Sequence, residues 1–144
     1  MYRSEDGKHL ETIRFRSKHV YSTSASGIQV PIAISLDGVN RIELFAKVDT
    51  GATFCIFQRE YAEALGLHVE SGNRINIATA TGLFPAYGHE LKLSCFDYDF
   101  EITAYFPSQS NFPRNVLGLT GWFDRLRVGI VHYDGVVLLS HYDD

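Results

Sequence analysis

Apolar residues recur at every second position along much of the chain, with polar residues between them, as in strands that bury one face. Val30, Ile32 and Ile34 show the alternation clearly, and Asp37-Gly38 just after them is typical of a hairpin turn because glycine tolerates a positive φ. Together with short apolar runs, this pattern predicts strands over residues 28–34, 41–48, 52–57, 74–79, 87–93, 99–106, 126–132 and 136–139. The pattern therefore predicts an all-β fold.

Helical spacing is confined to two short segments. Tyr61, Ala62 and Leu65 share one helix face within residues 58–67, and a glycine follows at the position of a helix stop. Residues 120–125 fit one or two helical turns. We therefore expect one clear short helix in the first half of the chain and a second short helix near the C-terminus.

The first 26 residues differ from the rest of the chain, since they are rich in Lys and Arg and end on a serine-rich run. Alternation over residues 13–21 favours an edge strand, whereas chain ends are often only partly ordered. We expect residues 1–26 to form an N-terminal arm of this kind and residues 27–144 to form one domain. A chain of 144 residues has room for one hydrophobic core rather than two independent lobes.

Charge and hydropathy narrow the class of protein and its partners. The formal net charge of −4 differs from that of a basic nucleic-acid binder, so no nucleic-acid partner is expected. No apolar run approaches the ~18 residues of a membrane span, and the polar N-terminus lacks the features of a signal peptide. We therefore expect no membrane partner. A cytoplasmic location is expected because the two cysteines do not make a disulfide framework.

The cysteines and histidines give no sign of a metal or cofactor site. Cys55 and Cys95 do not form a CxxC pair, and both lie in apolar surroundings that favour buried core residues over nucleophiles. The 6 histidines show no HxxxH or HxH spacing, and the chain has no glycine-rich phosphate loop. We expect no bound metal and no cofactor.

The strongest chemical signal is Asp49-Thr50-Gly51, which follows the apolar strand predicted over residues 41–48. This placement puts a carboxylate on a tight turn at the end of a strand, where glycine allows the backbone to approach it closely. The Gly51 N–H is placed to hold the carboxylate, and the Thr50 hydroxyl is able to lock the turn by hydrogen bonding. The three residues are therefore the candidate catalytic positions.

The segment 45–53 resembles the active-site loop of the retropepsin family of aspartic proteases, in which an apolar strand runs into Asp-Thr-Gly-Ala. Val116-Leu117-Gly118, followed by residues 120–125, resembles a second mark of that family, two apolar residues and a glycine ahead of a short helix. The predicted first helix and a hairpin tip around Thr81-Gly82 lie between the two marks, in the family's order. The resemblance covers residues 27–140 and implies a retropepsin-like closed β-barrel, equivalent to one half of an acid protease.

The resemblance also implies an aspartic endopeptidase. Aspartic proteolysis needs two carboxylates that share one proton: one activates water, and the other protonates or polarises the scissile carbonyl. The chain has a single Asp-Thr-Gly, so the second carboxylate must come from Asp49 of another copy. The expected partners are therefore a second copy, in a two-fold homodimer, and a peptide or protein substrate.

By the same resemblance, Thr50 buttresses the loop across the dimer, and the hairpin tip is a flap that closes over an extended peptide. The expected catalytic positions are Asp49, Thr50 and Gly51. The expected substrate-binding positions are Ala52, Ala80, Thr81 and Gly82.

Two other interpretations stay open at this point. A non-proteolytic retropepsin-like dimer that binds peptides or serves as an assembly module would keep the same motifs, because a fold does not fix a function. A small β-barrel with Asp-Thr-Gly in a turn by chance would have no pair of facing Asp49 carboxylates.

Overall fold

A computed structural model describes residues 2–3, 7 and 9–144 of the chain. The strands are β1 (Tyr2–Arg3), β2 (His9–Leu10), β3 (Ser17–Val20), β4 (Gln29–Ser35), β5 (Ile42–Val48), β6 (Asn73–Thr79), β7 (Gly82–Cys95), β8 (Tyr98–Pro107), β9 (Val116–Leu117), β10 (Leu126–Val131) and β11 (Val136–His141). One α-helix is found among the described residues, α1 (Arg59–Ala64), and 3₁₀ turns cover Val69–Ser71, Phe123–Arg125 and His132–Asp134. The chain is therefore mostly β, as the alternation predicts.

The strands form one large sheet and two smaller ones. The large sheet has the order β6-β7-β4-β5-β9, with β8 also paired to β7, and only its β5–β9 pair is parallel. A second sheet has the order β10-β11-β3, and β1 pairs with β2. The described strand pairs do not join β6 to β9 or the large sheet to the second one. The predicted closed barrel is therefore not found, because closure depends on pairing at sheet edges that alternation does not specify.

The core is built from the buried faces of the strands together with large side chains from the connecting segments. Val30, Ile32 and Ile34 of β4 are all buried, and the residues between them are more exposed. Trp122 and Phe57 are fully buried although neither lies in a strand. The apolar alternation identifies the strand part of the core because side chains at every second position share a face.

Residues 52–57 form no strand, so this prediction is wrong. Phe54 makes an isolated bridge to Thr120, and Ile56 makes isolated bridges to Tyr105 and Val116. Cys55, Ile56 and Phe57 are nevertheless buried. The apolar run in the sequence thus indicates burial rather than a regular ladder, and periodicity cannot separate the two in so short a segment.

The second short helix predicted near the C-terminus is not found as an α-helix. Residues 120–125 contain only the 3₁₀ turn Phe123–Arg125. Gly121 precedes this turn with φ +112, and its N–H donates to Asp124 Oδ1 at 2.9 Å. A helix cannot pass through Gly121 in this conformation, and the extended backbone of Leu126 ends the turn on its other side.

The segment predicted as an N-terminal arm contains β3, which lies at the edge of the second sheet. β3 is antiparallel to β11, with Ser17 opposite Leu139 and Val20 opposite Val136.

In the described part of the chain, no helix combines the length and the apolar character needed to cross a bilayer.

Candidate active site

Asp49 follows directly on β5, where the parallel β5–β9 pair fixes its backbone. Lys47 lies opposite Val116 and Val48 opposite Leu117 in that pair. The Asp49 N–H donates to the Leu117 carbonyl oxygen at 3.0 Å. The carboxylate is thus held at the end of a central strand, at the position expected from an apolar strand that runs into Asp-Thr-Gly.

The turn after β5 is closed by hydrogen bonds to Asp49 itself. The Gly51 N–H donates to Asp49 Oδ1 at 2.9 Å, and the Ala52 N–H donates to the Asp49 carbonyl oxygen at 3.2 Å. Asp49 is half-buried, whereas Thr50 is exposed and its hydroxyl forms no hydrogen bond with the described residues. The turn therefore orients the carboxylate and leaves the Thr50 hydroxyl accessible.

We refer to residues 49–54 as the Asp49 loop, and this loop packs directly against Gly118. A Cβ atom on Gly118 would lie 2.2 Å from the Phe54 carbonyl oxygen and 2.8 Å from that of Ala52. The Leu119 N–H donates to the Ala52 carbonyl oxygen at 2.9 Å and the Thr120 N–H to that of Thr53 at 2.8 Å. Only glycine permits this approach, which explains why Val116-Leu117-Gly118 accompanies the Asp49 loop.

A cleft of about 810 Å³ lies beside Asp49. It is bounded by the Asp49 loop, by the hairpin of β6 and β7, and by the segment 107–116. Of the residues proposed from the sequence, those that line the cleft are Asp49, Gly51, Ala52, Ala80 and Thr81. Thr50 and Gly82 are not among its lining residues.

The β6–β7 hairpin has a two-residue tip, Ala80 and Thr81, because Thr79 of β6 pairs with Gly82 of β7. The Thr79 hydroxyl donates to the Gly82 carbonyl oxygen at 3.0 Å and lies 3.2 Å from the Thr81 hydroxyl. All four residues are exposed. The hairpin tip is therefore held by local bonds.

Most of the side chains that line the cleft were not identified from the sequence. The larger ones among them are Phe54, Ile56, Ile77, Phe84, Phe112 and Arg114. The Phe84 and Phe112 rings lie 5.3 Å apart between centroids and connect the hairpin to the segment 107–116. That segment has no periodicity from which the direction of a side chain follows, so the sequence carries no signal for its role.

The cysteines offer no alternative nucleophile. Burial raises the pKa of the Cys55 thiol to about 12, and burial likewise raises the pKa of Cys95 to about 12. Both therefore stay protonated and unreactive at neutral pH. Among the described residues, no three His, Cys, Asp or Glu side chains are grouped closely enough to hold a metal ion.

The solved structures that share this fold include the following two. The retropepsin-like aspartic protease from Rickettsia conorii matches with a TM-score of 0.62 at 19% identity, covering 87% of this chain and 99% of that one. The EIAV protease in complex with the inhibitor HBY-793 matches with a TM-score of 0.53 at 15% identity, covering 69% of this chain and 88% of that one. The fold is therefore retropepsin-like.

No curated protein sequence matches the chain significantly. A family model described as aspartyl protease matches residues 30–119, which include β5 to β9, all of β4 except Gln29, the Asp49 loop and Gly118. The match covers more than half of the chain and contains the segment 45–53 and Val116-Leu117-Gly118, which carry the resemblance in the sequence. The chain therefore belongs to the aspartyl protease family.

Proposed function

We propose that the protein is an aspartic endopeptidase that hydrolyses peptide bonds as a homodimer, with Asp49 of each copy as one member of the catalytic pair. The observation that carries this proposal is the Asp49 carboxylate, which is oriented by the Gly51 N–H at 2.9 Å and faces a cleft of about 810 Å³. A cleft of this volume is within the range of ligand sites in proteins.

The need for a second copy follows from the carboxylates around the cleft. Among the described lining residues, Asp49 is the only acidic side chain. Aspartic catalysis requires two carboxyl groups close enough to share one proton. At that distance the two groups cannot both ionise, so one stays protonated while the other is charged. The ionised carboxylate takes a proton from water as the water attacks the scissile carbonyl carbon, and the protonated one polarises the carbonyl oxygen.

The surface beside Asp49 supports association with a second copy. Thr50 is exposed, and its hydroxyl has no hydrogen-bond partner among the described residues. Leu119, whose N–H is bonded to the Asp49 loop, keeps 46% of its surface exposed. A two-fold axis near this surface would bring the Asp49 loops of two copies together. Thr50 is then available to bond across the dimer, and Leu119 to bury its apolar side chain.

The β6–β7 hairpin supports binding of an extended peptide. Ala80 and Thr81 line the cleft at the exposed tip, where few contacts oppose movement toward a substrate. A peptide in the cleft is able to bond to exposed main chain as an added strand. Closure of the hairpin would exclude bulk water, retain the attacking water molecule and position the scissile bond near the carboxylate pair. In this arrangement Ala52, Ala80, Thr81 and Gly82 form the substrate-binding set.

The direct test is cleavage of a diverse peptide mixture by the wild type and by Asp49→Asn between about pH 3 and 7, the range in which carboxylates titrate. Asp99→Asn is the matched control, because Asp99 is exposed on β8 away from the cleft. We expect the loss of cleavage in Asp49→Asn alone. Equal cleavage by wild type and Asp49→Asn would overturn the proposal.

A second experiment tests whether the catalytic pair consists of Asp49 from two copies. Adding excess Asp49→Asn to the wild type forms mixed dimers with one carboxylate, so activity should fall well below that of the wild type diluted equally with Asp99→Asn. Equal activity in the two mixtures would contradict a pair shared between copies. A folded wild-type dimer that binds peptides without cutting them would instead support a peptide-binding or assembly module.

A further inference from the structure

Arg114 introduces a positive charge into the cleft wall. Of the described residues that line the cleft, only Asp49 and Arg114 carry a charge at neutral pH. Arg114 is exposed, and its guanidinium forms no ion pair or hydrogen bond with any described side chain or carbonyl. Its hydrogen-bonding capacity is therefore available to a ligand.

The backbone on both sides of Arg114 is fixed by long-range hydrogen bonds. Gln58 Nε2 donates to the Phe112 carbonyl oxygen at 2.9 Å, and the Gln58 N–H donates to Asn115 Oδ1 at 2.9 Å. The Lys47 N–H also donates to the Asn115 carbonyl oxygen at 2.8 Å. Arg114 therefore extends from a defined position on the cleft wall rather than from a freely moving loop.

We infer that Arg114 is a specificity-determining residue that favours substrates with an Asp or Glu side chain against this wall of the cleft. The inference rests on the proposed function, because it names the peptides that the same cleft accepts. A peptide lying over Arg114 displaces water from the guanidinium. A carboxylate replaces that water with charge-assisted hydrogen bonds, whereas a neutral side chain does so less well and a lysine is repelled.

The surroundings of Arg114 decide the size of the preference. Ion pairs in open water contribute little, because water screens both charges. Phe84 and Phe112, with ring centroids 5.3 Å apart, supply apolar surface to the same cleft and limit rehydration once a peptide is bound. We expect a preference of about tenfold in kcat/KM for a carboxylate over its amide at one substrate position.

The experiment uses peptides that are identical except for Glu, Gln or Lys at each position around the scissile bond. It is run above about pH 5, where the glutamate side chain is ionised. At one position we expect a Glu-to-Gln ratio of about tenfold for the wild type, a ratio near one for Arg114→Ala, and a preference for Lys in Arg114→Glu. Arg114→Lys, which keeps the charge, should retain part of the preference for Glu.

Arg74→Ala is the matched control, because Arg74 is an exposed arginine of the β6–β7 hairpin that does not line the cleft. It should keep the tenfold ratio of the wild type. A wild-type ratio near one at every position, or equal ratios in wild type and Arg114→Ala, would overturn the inference while cleavage itself upholds the proposed function.

Peptide binding to the Asp49→Asn variant tests the role of Arg114 without depending on cleavage. Fluorescence anisotropy with the same labelled peptides should show tighter binding of the Glu peptide, and the difference should disappear in Asp49→Asn/Arg114→Ala. That result without any cleavage by the wild type supports the role of Arg114 and overturns the hydrolase. The absence of both binding and cleavage across the peptide set overturns both proposals.

Discussion

The Asp49 loop and the β6–β7 hairpin face the same cleft but are held in opposite ways. The Asp49 loop is bonded to Leu117, Leu119 and Thr120 and lies against Gly118 at a distance that leaves no room for a side chain. The hairpin tip is exposed, and its bonds run between neighbours, as from Thr79 to Gly82. The comparison therefore sets a carboxylate fixed by long-range contacts against a hairpin tip held by local bonds.

Adding a single methyl group at Gly118 should displace the Asp49 loop and give the largest effect. Gly118→Ala places a Cβ atom 2.2 Å from the Phe54 carbonyl oxygen, so the Asp49 loop must move away from β9. We expect a loss of about 3 kcal/mol in the free energy of unfolding, measured by urea denaturation, because backbone atoms cannot yield as a flexible side chain does.

The control for this change is Gly66→Ala. Gly66 has φ +82 and nothing within 4 Å of an added Cβ atom, so its replacement introduces backbone strain without a collision. That strain costs about 1 kcal/mol. If Gly118→Ala destabilised the protein no more than Gly66→Ala, the close packing of the Asp49 loop would not be what fixes it.

The contact between Phe84 and Phe112 should limit local opening of the β6–β7 hairpin. Removing the Phe112 ring deletes an aromatic pair with centroids 5.3 Å apart, a side-chain link from the hairpin to the segment 107–116 that adds to the backbone bond from the Ser108 N–H to the Pro85 carbonyl oxygen. We expect Phe112→Ala to lose about 1 kcal/mol of stability and to speed amide hydrogen exchange in the β6–β7 hairpin. Exchange in the Asp49 loop should change little.

Leu83→Ala is the matched control, because Leu83 lies next to Phe84 on β7 and is 69% exposed. Its loss should leave exchange in the hairpin unchanged. If Phe112→Ala sped exchange in the Asp49 loop as much as in the hairpin, the two sides of the cleft would not be held independently.

The Asp49 loop is also the part of the site that can be predicted from the sequence. Asp49 and Gly51 are neighbours whose geometry follows from a strand and a tight turn, so a local motif was sufficient to propose them. The wall that contains Phe112 and Arg114 is positioned by Gln58 and Lys47, which lie far away in sequence. No local pattern encodes such contacts, and for the same reason the sequence did not reveal that the sheets stay open.

The smallest expected effect is at the other end of β7, which packs against β3 whereas the hairpin tip has only local bonds. His19 of β3 stacks on Phe96, just after β7, with centroids 3.5 Å apart, and its buried Nε2 lacks a hydrogen-bond partner in the described chain. Burial lowers the pKa of His19, an effect partly opposed by the charge of Asp97. The neutral imidazole is therefore the form that favours folding.

Since the pKa of His19 is lower in the folded protein, its contribution is complete above the ordinary histidine value of about 6.5 and is lost as pH falls through the lowered value. His19→Phe keeps the stacked ring and removes the titration. Melting temperatures of the two proteins should therefore diverge in favour of His19→Phe as pH falls below about 6. The exposed His68, changed in His68→Gln, should not reproduce this divergence. If the melting temperatures of wild type and His19→Phe changed in parallel with pH, the contact between His19 and Phe96 would not depend on the charge of His19. This end of β7 would then not respond to pH through His19.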